Sequence, residues 1–222
     1  TTCPSGVRYG ALVDIGRGSI EKQVKRDTLS GVMRYALVKI LPNPRLFNTL
    51  LKAAQILSPL LPRKLQEAVP ISSRSDHIWP VTNHARKMLI LDGCVQPALA
   101  PNINIATARV LDYLGITLIK ADRTGCCGAV AYHLNAQSDG LDYMRRNIDA
   151  WWPWVQQNNV EAIVVNASGC GVTVNEYGHL LQHDSAYALK AKKISGISRD
   201  ISEIVYLELE KLREKFATQS LP

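Results

Sequence analysis

No stretch of this 222-residue chain approaches the roughly 20 consecutive apolar residues that cross a bilayer. A charged segment followed by a clean apolar one is also missing at the start, so no secretory signal is read there, although a fragment would have lost it. Signatures of nucleotide handling are absent too. There is no Gly-x-Gly-x-x-Gly after an apolar run and no Gly-x-x-x-x-Gly-Lys-Ser/Thr phosphate loop. The chain likewise lacks a nucleophile elbow and an internal repeat. A two-electron oxidation would need a flavin or nicotinamide, and nothing here offers to hold one. Five cysteines form no even-numbered secreted framework, which favours a reducing compartment in which thiols are kept for ligation. These absences point to a soluble, cytoplasmic protein.

Acidic residues are scarce at one end. Through residue 90, Lys and Arg outnumber Asp and Glu by 14 to 5; beyond it the balance is 12 to 14. The basic stretch has no aromatic interleaving and no recognised motif, so a nucleic-acid partner is not expected. Solvated helix faces, an anionic partner or a membrane surface account for the charge. The 46% apolar content is ordinary for a chain that buries a real core.

What the chain does have is a pattern of thiols. Cys126 and Cys127 are adjacent and followed by Gly128, with Cys94 upstream and Cys170 downstream. Intervals of 31 and 42 residues separate these positions, each about one strand-helix-strand unit. Every cysteine lies shortly beyond an apolar run: Lys87–Leu91 before Cys94, Ile116–Ile119 before the Gly125–Gly128 loop, and Ala162–Val165 before Cys170. Short apolar runs separated by helical stretches read as strands of a parallel sheet, and ligands collect at the carboxyl ends of such strands. Three cysteine loops would then open on one edge. Gly93, Gly125, Gly128, Gly169 and Gly171 flank the thiols and would let backbone amides approach sulfur. A free cysteine alone is as readily a small buried hydrophobe; four on one predicted edge are read as ligands.

The order Cys94, Cys126-Cys127-Gly128 and Ser168-Gly169-Cys170 resembles the CCG cysteine-rich domain family found in the B subunit of heterodisulfide reductase and in iron-sulfur subunits of respiratory dehydrogenases. Within it, Gly125–Leu134 and Asn166–Gly171 look closest to the iron-sulfur subunits of glycolate oxidase, and the likeness covers roughly residues 84 to 215. The resemblance implies that Cys94, Cys126, Cys127 and Cys170 hold a 4Fe–4S cluster. It also implies FAD on a partner subunit and a quinone-linked acceptor, with the complex at the inner face of the plasma membrane as an option. The family pattern usually closes with two cysteines; here the first of these positions is Ala167, and His133 is a candidate extra ligand.

The chain opens Thr-Thr-Cys3-Pro4, without Met, which suggests a fragment. Cys-Pro is how a bacterial ferredoxin cluster motif ends, so Cys3 is read as a ferredoxin-cluster ligand in the full-length protein, its partners lying upstream. Residues 1–65 would be the end of a helical ferredoxin-like module. One helix is expected from a cap-like Ser19 to Ile40, ending at Pro42 and Pro44, and a second apolar stretch from Leu46 to Leu61. Residues 66–86, with two prolines and His77 and His84, read as a linker. Residues 87–222 would form a Rossmann-like parallel-sheet domain, so the fold class is α/β. Inside it, Ile105–Leu114, Tyr143–Val155 and Ile201–Phe216 are predicted helices, and Trp151, Trp152 and Trp154 are expected mainly in the core.

These readings make the chain an electron-transfer subunit of a flavin-dependent 2-hydroxy-acid dehydrogenase complex, not catalytic alone. Two rivals stand beside it. One is a zinc or apo-thiol docking domain, to which His179 and His183 with Cys170 could contribute. The other is thiol–disulfide chemistry at Cys126-Cys127. Vicinal cysteines are expected to point their sulfurs apart across a trans peptide, which suits two irons of a cluster better than one tetrahedral ion.

Overall fold

In the computed structural model, residues 6–7, 9–24, 27–70 and 78–218 are described. Cys3 and His77 lie outside them. The first part of the chain is helical: α1 (Tyr9–Gln23), α2 (Thr28–Ile40), α3 (Pro44–Leu57) and a short α4 (Arg63–Gln66). The single helix expected from Ser19 is thus two. Asp27, in extended conformation, accepts a hydrogen bond from the Ser30 amide and starts α2, whereas Ser19 lies inside α1. A side-chain cap of this kind satisfies one of the otherwise unpaired amides of a helix start. Asn43 caps α3 in the same way, with Pro44 at its first position.

The remainder is α/β, as the sequence pattern predicted. Strands β1 (Arg86–Ile90), β2 (Ile116–Lys120), β3 (Ile163–Val165) and β4 (Ser198–Asp200) form one parallel sheet in the order β2-β1-β3-β4. Between them run α5 (Gln96–Leu99), α6 (Pro101–Tyr113), α7 (Ala129–His133), α8 (Gln137–Gln156), α9 (Ser168–Leu180) and α10 (Ala188–Ile197); α11 (Ile201–Leu207) and α12 (Leu209–Thr218) follow β4. The predicted final helix breaks at Glu208, and β4 was not anticipated.

Alternation along β1 divides the core. Leu89 and Leu91 face α8, α9 and α10, meeting Met144, Ile148, Trp151, Tyr177 and Ile194; Met88 and Ile90 face α6 and α11, meeting Ala108, Leu111 and Ile204. Side chains two apart on a strand share a face, so helices on both sides need apolar residues throughout. Trp151 is fully buried and Trp152 and Trp154 pack against the same cluster, as expected. Burying each such large side chain contributes about 1.5–3 kcal/mol.

Residues 78–85 run beside β2. Trp79 packs on the α6 side of the core, the His84 amide donates to Thr117 Oγ1 at 2.7 Å, and His84 Nε2 lies 2.9 Å from Asp112. Among the described residues, no helix is long and apolar enough to cross a membrane.

Candidate metal centre

Because β1 connects outward to β2 on one side while β3 sits on the other, the order of strand connection reverses between β1 and β3. Loops leaving neighbouring strands diverge at such a point and open a crevice at the carboxyl edge. Cys94 follows β1, Cys170 lies in the first turn of α9 after β3, and Cys126-Cys127 lie between β2 and α7. The four thiols lie close enough to perturb one another: Cys94 acts with Cys126, Cys126 with Cys127 and Cys127 with Cys170, and the charges of Cys94 and Cys127 are felt across the group. The four thiols predicted to share one edge are therefore brought together. The peptide between the vicinal pair is trans.

Local structure explains how the double cysteine is held. Gly128 has φ of 94°, in the left-handed region, and a Cβ there would lie 2.5 Å from the Gly140 carbonyl oxygen. Only glycine fits that turn. The turn aims the Gly128 amide at Cys126 Sγ, 3.4 Å away, and the Ala129 amide at Cys127. From α8, the fully buried Asn147 accepts a hydrogen bond from the Gly125 amide at 3.0 Å and donates to the Cys126 carbonyl at 2.8 Å and to Tyr177 Oη at 3.2 Å. Tyr177, on α9, then donates to the Cys127 carbonyl at 2.8 Å. Three successive residues of the loop are thereby clamped through their backbone by two side chains from different helices.

A second polar network joins the other two loops. Asn104 of α6 donates to the Asp92 carbonyl and carboxylate at 3.0 and 2.8 Å. It accepts from Gln96 at 2.7 Å and from Asn166 at 2.8 Å. Asn166 also donates to Thr107 Oγ1 at 2.9 Å. Lys120 at the end of β2 pairs with Asp92 at 2.9 Å and lies over the Trp79 ring. Beside this network, Leu91, Gly93, Cys94, Val165, Ala167 and Cys170 border a cavity of about 270 Å³.

The thiols are not electrostatically equivalent. The neighbouring thiols of Cys126 and then Cys170 lower the Cys127 pKa against the opposing effect of burial. Cys126 and Cys170 are pushed up, first by the neighbouring Cys127. Cys94 is lowered, first by Cys126. The anionic thiolate is the form that binds metal. Amides directed at sulfur favour the same state.

Among the described residues, no set of three or more His, Cys, Asp or Glu side chains is arranged to hold one metal ion. Four cysteine thiolates are the donor set that iron-sulfur groups take.

Other candidate residues lie elsewhere. His133 ends α7, with Nδ1 2.9 Å from Asp14 of α1 and its carbonyl accepting from Arg17. His179 is exposed at the far end of α9 and His183 is exposed in the turn beyond it; nine residues of helical rise set His179 roughly 13 Å along the axis from Cys170. They do not join the thiols. Asn147, Tyr177 and Asn104 were missed by sequence reasoning. The available signal was a polar residue within an apolar stripe: Asn147 sits among Met144, Ile148, Trp151 and Val155, and Asn104 among Thr107, Ala108 and Leu111.

Comparison with known proteins agrees with this geometry. Residues 88–175 match the family model of the CCG cysteine-rich domain. The chain is 47% identical over 213 residues to the glycolate oxidase iron-sulfur subunit of Escherichia coli K12, covering 96% of this chain and 52% of that protein. It is 25% identical over 230 residues to a protein of Bacillus subtilis 168 named as a probable glycolate oxidase iron-sulfur subunit, covering 91% and 50%. Lactate utilization protein A of Bacillus velezensis is 26% identical over 119 residues, covering 54% and 48%. The chain spans about half the length of the curated relatives it matches. No solved structure matches it. Its α/β part thus carries the CCG cysteine-rich pattern, and over nearly all its length the chain is similar to glycolate oxidase iron-sulfur subunits.

Proposed function

We propose that the chain is the cysteine-rich part of an iron-sulfur electron-transfer subunit in a glycolate oxidase complex, with Cys94, Cys126, Cys127 and Cys170 as the ligands of a 4Fe–4S cluster. The observation that carries this reading is the convergence of four thiols from three loops at the reversal point of the sheet. The names of the relatives supply the complex and the substrate. Bound there, such a cluster supplies a one-electron carrier. The chain itself positions and insulates: Asn147 and Tyr177 fix the double-cysteine loop, the amides of Gly128 and Ala129 face sulfur, and the helices seal Cys126 and Cys127 from water.

Electrons would come from a flavin subunit carrying FAD and pass toward a quinone-linked acceptor, in the cytoplasm at the inner face of the plasma membrane. Helices α1–α4 would be the end of a ferredoxin-like module over residues 1–65 in which Cys3 serves another cluster, followed by a linker over 66–86 and the CCG domain over 87–222. Burial counts against the thiol–disulfide alternative, because Cys126 and Cys127 are 0% and 3% exposed and a substrate disulfide would need direct access.

Iron, acid-labile sulfide and zinc per chain should be measured on anaerobically prepared full-length protein beside a variant with Cys126→Ser and Cys127→Ser. The variant is expected to lose iron and sulfide and, with them, acceptor reduction, while subunit assembly persists. An unchanged metal content, or zinc in place of iron, would overturn the assignment.

A further inference from the structure

Arg146 projects from α8 one residue before Asn147, toward the double-cysteine loop. A Cβ on Gly125 would lie 2.7 Å from its Nη2 and 3.4 Å from its guanidinium carbon, so the group rests against the glycine that precedes Cys126. Its Nε and Nη2 are both buried and have no hydrogen-bond partner. The guanidinium also lies over the Tyr143 ring, 5.0 Å from its centroid. Tyr143 in turn feels opposite charges: burial and then Cys126 raise its pKa, and Arg146 lowers it. Cation and cysteine loop thus share one partly buried neighbourhood.

Buried N–H donors without acceptors are costly, the more so when the group is charged. A protein that keeps such a group beside a cluster of thiols leaves it open to an anionic partner. Arg is suited to this role because its donors form a fixed fork and its charge is permanent.

We propose that Arg146 is the electrostatic partner of the cysteine site, a positioning residue whose unpaired N–H groups meet the negative charge of metal-bound thiolate sulfur and favour the more reduced state of a bound cluster. This rests on the iron-sulfur reading above. Each electron added makes such a cluster more negative, so a fixed positive charge alongside stabilises the reduced form and raises the reduction potential. Gly125 has a matching role, since any side chain there would displace the guanidinium.

The test uses full-length protein with Arg146→Met and Arg146→Lys. Iron and sulfide per chain, the midpoint potential followed by electron paramagnetic resonance, and the unfolding temperature of the metal-free form are measured for each. In Arg146→Met the reduction equilibrium is expected to weaken about tenfold, a midpoint more negative by about 59 mV for one electron. Arg146→Lys should recover most of that shift. The metal-free Arg146→Met protein should unfold at or above the parent temperature, because a buried unpaired charge has been removed. A purely structural arginine predicts the reverse: lower stability and an unchanged potential. If the parent holds iron and Arg146→Met keeps its potential within a twofold change in equilibrium, the inference about Arg146 falls alone. If the parent holds no iron that depends on Cys126 and Cys127, the iron-sulfur reading falls and takes this one with it.

Discussion

Cys126 and Cys127 are sealed inside the protein, whereas Cys94 and Cys170, on the loops after β1 and β3, are half-buried and border an open cavity of about 270 Å³. The means of support differ accordingly. The sealed pair is fixed through its own backbone, by Asn147 and Tyr177 gripping the peptide groups of the loop. The half-buried pair is fixed indirectly, by amide side chains that tie Asp92 and Asn166 together beneath it. One half of the site is therefore preorganised and dry, and the other is linked and within reach of water. In an electron-transfer site, this puts the dry half where the reducible group needs a constant surrounding and the open half where a partner can approach.

The sharpest way to break this contrast is Asn147→Ala. It would leave the Gly125 amide and the Cys126 carbonyl without partners inside the protein, at about 1–3 kcal/mol for each buried group. A loss of roughly 3 kcal/mol is expected in urea unfolding of the metal-free protein, together with faster release of iron from the loaded one. If stability and iron release both stayed at parental values, the loop would not depend on this clamp.

Asn104→Ala probes the other half and should cost less, about 1–2 kcal/mol. Asn104 is itself buried, but Asp92, Gln96 and Asn166 are only half-buried, so water can replace part of the missing hydrogen bonding. Iron release should quicken less than in Asn147→Ala. An equal or larger effect on iron release would mean that the half-buried thiols, not the sealed ones, limit retention.

How much of this was legible depends on whether a residue's neighbours in sequence are also its neighbours in space. β1, β2 and β3 announce themselves as apolar runs because both faces are covered, and the cysteines follow each run. β4 does not, since Ser-Arg-Asp is three residues long and pairs only with β3, at the edge of the sheet. The break between α1 and α2 was signalled by Asp27 but was obscured by apolar spacing that continues across it. Asn147 and Tyr177 act on a loop about 20 and 50 residues away. Their local context shows only that polar atoms are being buried, not where those atoms point. His133 illustrates the reverse case: its closeness in sequence to Cys127 suggested a ligand, and the turn at the start of α7 carries it toward Asp14.

The smallest expected effect comes from the opposite edge of the sheet, where the contrast between sealed and open thiols should not be felt. At the start of β1, Arg86 pairs with Glu161 at 2.8 Å and with Glu208 at 2.7 Å, and Glu208 also takes Lys211 at 2.7 Å. These ion pairs, Arg86 first, hold the Glu208 carboxyl below the ordinary glutamate range. A carboxylate whose folded pKa is depressed contributes stability that is complete above its unfolded value, about 4.3, and is lost as pH falls through the folded value. Glu208→Gln should therefore lower stability by about 1 kcal/mol at pH 7, with the difference from the parent narrowing below about pH 4.3. Iron per chain at pH 7 should be unchanged, because the ion pairs of Glu208 tie α11 and α12 to the amino end of the sheet and touch no cysteine loop. A gap that persisted undiminished at pH 3 would show that packing around Glu208, and not its charge, supplies the stability. Loss of iron in the same variant would mean that the two edges of the sheet are coupled, and that the difference between the thiol pairs is set by the whole domain instead of by the two local networks.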